Sequence, residues 1–340
     1  MKLTLINIAF AHLTSVFALN KSQCFPPSDQ GSEMGLSGNE TNTCEQYLDV
    51  EHKRRGFRFN REEHSIFYTV QGSGDPVLLL HGWTCDQTDW IFQIPFLLNH
   101  GFQVIAIDHR GHGRSLDLLP TNPVNSSALR YDPRALADDA AAILAHLGIG
   151  GDHDGNRKAA IVMGHSLGGV VTAELAYRHK RLVRGIVLVD PAYLATGSRN
   201  KQIVEGIKAS PEIAPEWAAE YFEQVEATTA KRPPWMGAWL SQRIWGMPAH
   251  VVVSTVEQLA NYLSNWSTGV DYMRERKVVP RLATYAHEIG GADIEQAVGL
   301  GEEDRVETIP FGHWLHQVDS ERFNAVVEEW FRARGFLPAA

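Results

Sequence analysis

Cysteine is scarce: the 340 residues contain three, Cys24, Cys44 and Cys85. Three cannot build a disulfide framework, and no Cys-x-x-Cys pair offers a zinc site. Positive charge is in deficit, with 31 Lys and Arg against 40 Asp and Glu and a net charge of −9. A protein that grips nucleic-acid phosphates needs the opposite balance on its contact face, so no nucleic-acid partner is expected. The 16 Pro and 29 Gly are too few for a collagen or a low-complexity linker. What remains is a globular composition, 44% hydrophobic and 21% charged, in a chain long enough for one large α/β domain or about two ordinary ones.

The first residues read as an address rather than as fold. Met1-Lys2 precedes an apolar stretch, Leu3 to Ala18, broken by His12, Thr14 and Ser15. It is too short and too mixed to span a membrane, and it reads as a secretory signal peptide over residues 1–18. The expected protein is therefore secreted, with no stable membrane insertion after cleavage. An oxidising compartment would let Cys24 and Cys44 pair within the polar leader of residues 19–55, worth about 3 kcal/mol in the chain-entropy model. Cys85 is expected to stay single, as a small buried hydrophobe. Asn-x-Ser/Thr acceptors at Asn20, Asn39, Asn125 and Asn265 agree with export and with a glycoprotein.

Beyond the leader, short apolar runs alternate with helical patterns. Strands are predicted at Gly56–Phe59, Ser65–Gln71, Pro76–Leu80, Gln103–Ile107, Ala159–Met163, Gly185–Val189, Arg281–Tyr285 and Arg305–Ile309. Most are continuous and β-branched, as in a parallel sheet covered on both faces. Helices are predicted at Asp89–Leu98, Asp132–Leu147, Leu167–His179 and Ser320–Arg334. The expectation is an α/β protein with a doubly wound, mostly parallel eight-stranded sheet. Residues 193–277 break the alternation with helices alone and hold Trp217, Trp235, Trp239, Trp245 and Trp266. They are expected to form a helical cap between a first core segment, 56–192, and a second, 278–340. Its aromatics suit core packing and a pocket wall alike.

The strongest chemical signal is Gly164-His165-Ser166-Leu167-Gly168-Gly169, after a predicted strand and opening a predicted helix. This is Gly-x-Ser-x-Gly in the context it requires: small residues permit a sharp turn that holds the Ser166 hydroxyl above the sheet. A serine hydroxyl needs a base to take its proton. The candidate among 15 histidines is His313, which follows the last strand and precedes the last helix. His316, three residues on, and His165, inside the turn, read as structural. An oxyanion hole needs two backbone N–H groups. Leu167 supplies one as the residue after the serine, and Trp83, in His81-Gly82-Trp83 after the Pro76–Leu80 strand, is the natural second donor.

From about residue 56 to 334 the chain resembles an α/β-hydrolase fold protein with a cap. The resemblance rests on His81-Gly82-Trp83, on the run from Asp108 to Ser115 (Asp-His-Arg-Gly-His-Gly-Arg-Ser), on the Ser166 turn and on Gly312-His313. It implies structural roles for Asp108 and Arg110. Capped relatives such as epoxide hydrolases and haloalkane dehalogenases carry Asp as nucleophile, whereas this chain has Ser166. Many relatives take the third triad member, the acid, from a Gly-x-x-Asp after the strand preceding the histidine. Here that strand runs into Ala286-His287-Glu288-Ile289-Gly290-Gly291-Ala292-Asp293, where Glu288 is the alternative acid and Asp293 a weaker one. Other relatives place the acid one strand earlier, where Gly185–Val189 ends in Asp190. Asp190 is the preferred acid.

The resulting expectation is a serine hydrolase cleaving an ester or lactone of a small to medium apolar substrate through an acyl-enzyme. Ser166 is the nucleophile, His313 the base and Asp190 its orienting acid, with no metal and no organic cofactor. Two alternatives come from other classes. One is a cofactor-free oxygenase acting on an aromatic substrate. The other is a non-catalytic binding protein on the same scaffold.

Overall fold

The structure, a computed structural model, describes residues 45–47, 55–61, 64–117, 130–150, 159–195, 198–226, 232–286 and 291–337. The expected signal segment, Cys24, Cys44, Asn20, Asn39, Asn125 and Glu288 lie outside them. The strands are β1 Glu45–Tyr47, β2 Arg55–Arg61, β3 His64–Gln71, β4 Pro76–Leu80, β5 Gln103–Ile107, β6 Leu116–Asp117, β7 Ala160–His165, β8 Val183–Val189, β9 Arg281–Tyr285 and β10 Arg305–Thr308. The helices are α1 Gln93–Asn99, α2 Pro133–His146, α3 Leu167–Arg178, α4 Ser198–Lys208, α5 Ala214–Glu226, α6 Met236–Trp245, α7 Ala249–Leu263, α8 Gly269–Arg276, α9 Gly291–Val298, α10 Leu315–Val318 and α11 Ser320–Ala333.

Among the described residues the sheet has ten strands: the eight expected ones in the order β2-β3-β5-β4-β7-β8-β9-β10, with β1 added beside β2 and β6 paired with β3. Along that order those from β5 to β10 run parallel, while β2 and β3 are antiparallel additions at one edge. Two short strands were not foreseen. β1 pairs with β2 inside the predicted leader, and β6 pairs with the start of β3. Two- and three-residue strands carry too little period to be read from sequence. The predicted helix at Asp89–Leu98 divides into a 3₁₀ turn, Gln87–Trp90, capped by the Asp86 side chain, and then α1.

The continuous apolar strands have a simple cause. Along β4, Val77 and Leu79 face one layer and Leu78 and Leu80 the other. Side chains alternate across a strand, so a sheet covered on both faces needs both sets apolar. One layer is closed by Leu97 of α1 and by Phe323, Val327, Trp330 and Phe331 of α11. The other is closed by α2 and α3, and it is continuous with the buried residues of α4–α8, the helices between β8 and β9.

The chain runs from β5 on one side of β4 to β7 on the other. That reversal opens a crevice at the carboxyl ends of the strands, the position where open α/β sheets bind ligands. The loop after β5 closes one flank. Asp108 accepts from the backbone N–H of Gln87 (2.8 Å) and of Arg114 (2.9 Å). Burial pushes its carboxyl up to about 6. Arg110 makes a two-pronged ion pair with Asp139 of α2, both contacts at 2.7 Å, and donates to Arg130 O. These are the structural roles expected of the pair.

Helix α3 packs against the end of β4 at a distance only glycine allows. A Cβ on Gly168 would lie 2.2 Å from Leu80 O, and one on Gly164 2.2 Å from Gly168 O. Both obstacles are backbone. Gly168→Ala is therefore expected to cost about 3 kcal/mol, the upper range for an overpacked site. It should lower the urea midpoint at unchanged slope. A wild-type midpoint would show that α3 can shift freely.

Candidate active site

Ser166 joins β7 to α3 with φ 54° and ψ −116°. A non-glycine residue there is strained by about 1–3 kcal/mol and persists only where its surroundings over-determine it. They do: Ser166 N–H donates to Val189 O (2.9 Å), and Ser166 O accepts from Ala192 N–H and Gly169 N–H, each 3.0 Å. Its hydroxyl does not cap α3. It is left for other work at the positive end of a helix dipole.

Asp190 follows β8, also at positive φ, 39°. Its backbone N–H donates to Thr284 O (2.8 Å), and its Oδ1 accepts from Ala286 N–H (3.2 Å). Its other oxygen, Oδ2, lies 2.5 Å from Nδ1 of His313. Asp190 and His313 are thus brought together from two loops, after β8 and after β10, as sheet order permits. Burial alone would push the Asp190 carboxyl up, but the His313 bond and charge outweigh it and hold the group below its ordinary value. Burial alone would push His313 down, but the Asp190 bond and charge raise it above 6.5. The bond at Nδ1 orients the ring and leaves Nε2 as the acceptor that a base requires.

Three other buried histidines, His81, His109 and His316, move the opposite way. Burial lowers His81 well below its ordinary value and takes His109 and His316 to about 3. His81 and His109 brace the loop after β4: His109 N–H donates to His81 Nε2 (2.9 Å). In that loop Trp83 Nε1 donates to Val252 O of α7 (3.1 Å). Thr84 beside it is, among the described residues, the third non-glycine residue at positive φ, 61°. All three strained residues, Thr84, Ser166 and Asp190, thus sit at strand ends around the same crevice. The backbone N–H groups of Trp83 and Leu167 have no hydrogen-bond partner among the described residues.

Beneath His313 lies a network the sequence did not reveal. Asp89 is fully buried, and its Oδ2 sits 2.7 Å from His165 Nδ1. Trp314 Nε1 (3.0 Å) and Gln317 Nε2 (3.1 Å) donate to Asp89 Oδ1. The far side of the His165 ring, Nε2, reaches His313 O at 2.9 Å. His165, which reads as structural in the sequence, ties the Asp89 loop to the His313 loop. His316 is structural, its Nε2 against Asp89 O (3.1 Å). Cys85 is a buried free thiol, as expected. Cys85, Asp89 and His165 bring their donor atoms within 4.8 Å of one another, as a metal site would. However, His165 already bonds Asp89, and the Arg243 guanidinium approaches Asp89 Oδ1 and Cys85 Sγ, each at 3.5 Å. A cation here would meet another cation.

Helix α5 completes the surroundings. Phe222 lies parallel to the His313 ring, centroids 6.2 Å apart, and packs against Trp83 and Trp314. Glu226, fully buried, accepts the His313 backbone N–H at 2.7 Å. Sequence offered no signal for Asp89, Glu226 or Arg243. Each is an ordinary charged residue until distant segments meet.

The family model described as "Alpha/beta hydrolase family" matches residues 77–334. The chain belongs to that family. As an α/β hydrolase it is 36% identical over 137 residues to a non-heme haloperoxidase of Rhodococcus erythropolis, covering 39% of this chain and 44% of that protein. It is also 36% identical over 124 residues to a bifunctional esterase/perhydrolase of Acinetobacter calcoaceticus, covering 36% and 38%. The matches thus span less than half the length of these relatives. Among solved structures, a thermophilic esterase of Thermogutta terrifontis superposes with a TM-score of 0.65 at 22% identity, over 83% of this chain and 98% of that one. The fold is therefore that of an α/β hydrolase.

Proposed function

We propose that the protein is a serine hydrolase cleaving an ester or lactone of a small to medium apolar substrate. The observation that carries the reading is the 2.5 Å contact of Asp190 Oδ2 with His313 Nδ1, at the strand ends where Ser166 is held at φ 54°. In this reading Ser166 Oγ attacks the carbonyl carbon and its proton passes to His313 Nε2. The carbonyl oxygen becomes an oxyanion held by the Trp83 and Leu167 amides. The tetrahedral species collapses, the alcohol departs with the proton from His313, and an acyl-Ser166 remains. Water, deprotonated by His313, attacks the acyl carbon, and the acid is released as Ser166 regains its proton. In a lactone the alcohol stays tethered to the acyl group. Helices α4–α8 act as a cap, and Phe222 of α5, packed against Trp83, Trp314 and the His313 ring, gives the base apolar surroundings.

A panel of aryl and alkyl esters and lactones tests the substrate class. Turnover of short and medium acyl chains supports it, and inactivity on the whole panel refutes it. The pH dependence follows from His313. The base must be neutral, and its bond to Asp190 raises it above 6.5. Activity is therefore expected to fall as pH drops through a midpoint above 6.5, with the ionised Asp190 unchanged there. A kcat/KM profile checks this. A midpoint well below 6.5 would contradict the pairing.

A further inference from the structure

We propose that Glu226, the last residue of α5, is a positioning residue that couples the helical insertion to the base His313. The inference rests on the reading of His313 as the base. Three observations carry it. Glu226 is a fully buried carboxylate at the end of the apolar buried face of α5 (Ala214, Ala218, Ala219, Phe222), whereas Glu220 and Glu223 of the same helix are exposed. Its Oε1 accepts the His313 backbone N–H at 2.7 Å, a charge-assisted bond to the residue whose ring must be aimed. One turn earlier, Phe222 lies flat against the same ring. One face of α5 therefore fixes His313 by its backbone and by its ring.

Consequences follow for both geometry and charge. A buried N–H that loses its acceptor is costly, so the His313 loop would shift to find another. A carboxylate facing an imidazole also favours the imidazolium, which forms each time Ser166 gives up its proton. The charged and titratable groups facing His313 are Asp190 after β8, Glu226 of α5, Asp89 after the β4 loop, His165 of β7 and His316 of α10, and Arg232 lies within electrostatic reach of Glu226 in turn. Asp190 acts through the ring, and Glu226 is the one supplied by the insertion. A displaced α5 would leave the base both loosely held and less ready to take a proton.

The test is the pH dependence of Ser166 labelling by a fluorophosphonate in the full chain. Glu226→Gln keeps an acceptor and removes the charge. The expected result is a plateau rate within about threefold of wild type, with the acid midpoint lowered by about one pH unit, the low end for a nearby opposite charge. Glu226→Leu removes both and should lose about tenfold in plateau rate as well. An unmoved midpoint in Glu226→Gln, with Ser166 still labelled, overturns the inference and leaves the hydrolase reading standing. So does a plateau loss confined to Glu226→Leu with the acid midpoint unmoved in both variants, which a merely structural acceptor would give. Failure to label Ser166 in the wild type overturns the hydrolase reading itself.

Discussion

Ser166→Ala is expected to lower ester turnover by about 10³-fold or more while leaving the fold intact. The two halves of that expectation have separate causes. Turnover is lost because alanine carries no hydroxyl at the position the turn holds at φ 54°. The fold survives because the Ser166 side chain makes no capping bond, and the bonds that fix the turn come from its backbone N–H and C=O. Measuring kcat on an activated ester together with the urea midpoint separates them. A mutant that keeps most of its activity on its true substrate rules out the acyl-enzyme route. It would favour the oxygenase alternative, in which His313 acts on the substrate without a covalent step.

Asp190→Asn is the second large effect, with an expected loss of about 10⁴-fold in kcat. The carboxylate accepts from His313 Nδ1, and its Oδ1 accepts from Ala286 N–H. An amide can keep the Ala286 bond through its oxygen, so the loop stays in place. Its NH₂ then faces Nδ1 and favours the tautomer with the proton on Nε2, where it cannot accept from Ser166. Stability should change little beside the loss of rate. Asp190→Asn with near wild-type kcat would mean that another carboxylate orients the ring, and Glu288 would become the acid to test.

These two residues mark what the sequence could carry. Ser166 was legible because a strand, a turn between glycines and a helix occupy one contiguous stretch. Asp190 was legible only as a carboxylate at a strand end, since its distance from His313 depends on the adjacency of β8 and β9 and of β9 and β10. The strands Pro76–Leu80, Gln103–Ile107 and Arg281–Tyr285 appear with the bounds expected of them, because burial on both faces makes them unbroken apolar runs. The Asp89–Leu98 stretch was misread as one helix because its apolar spacing continues across a 3₁₀ turn that the Asp86 cap sets apart. Asp89, His165 and Glu226 escaped because the partners described above lie 76 to 228 residues away in the chain. No local pattern announces a contact of that separation.

The measurement that bears most directly on the account is mass spectrometry of acid-quenched enzyme during turnover of an ester such as p-nitrophenyl butyrate. A single added acyl group on the peptide carrying Ser166, absent from Ser166→Ala, is the predicted result. Turnover with no acyl adduct under burst conditions, or an adduct on any other residue, would contradict it.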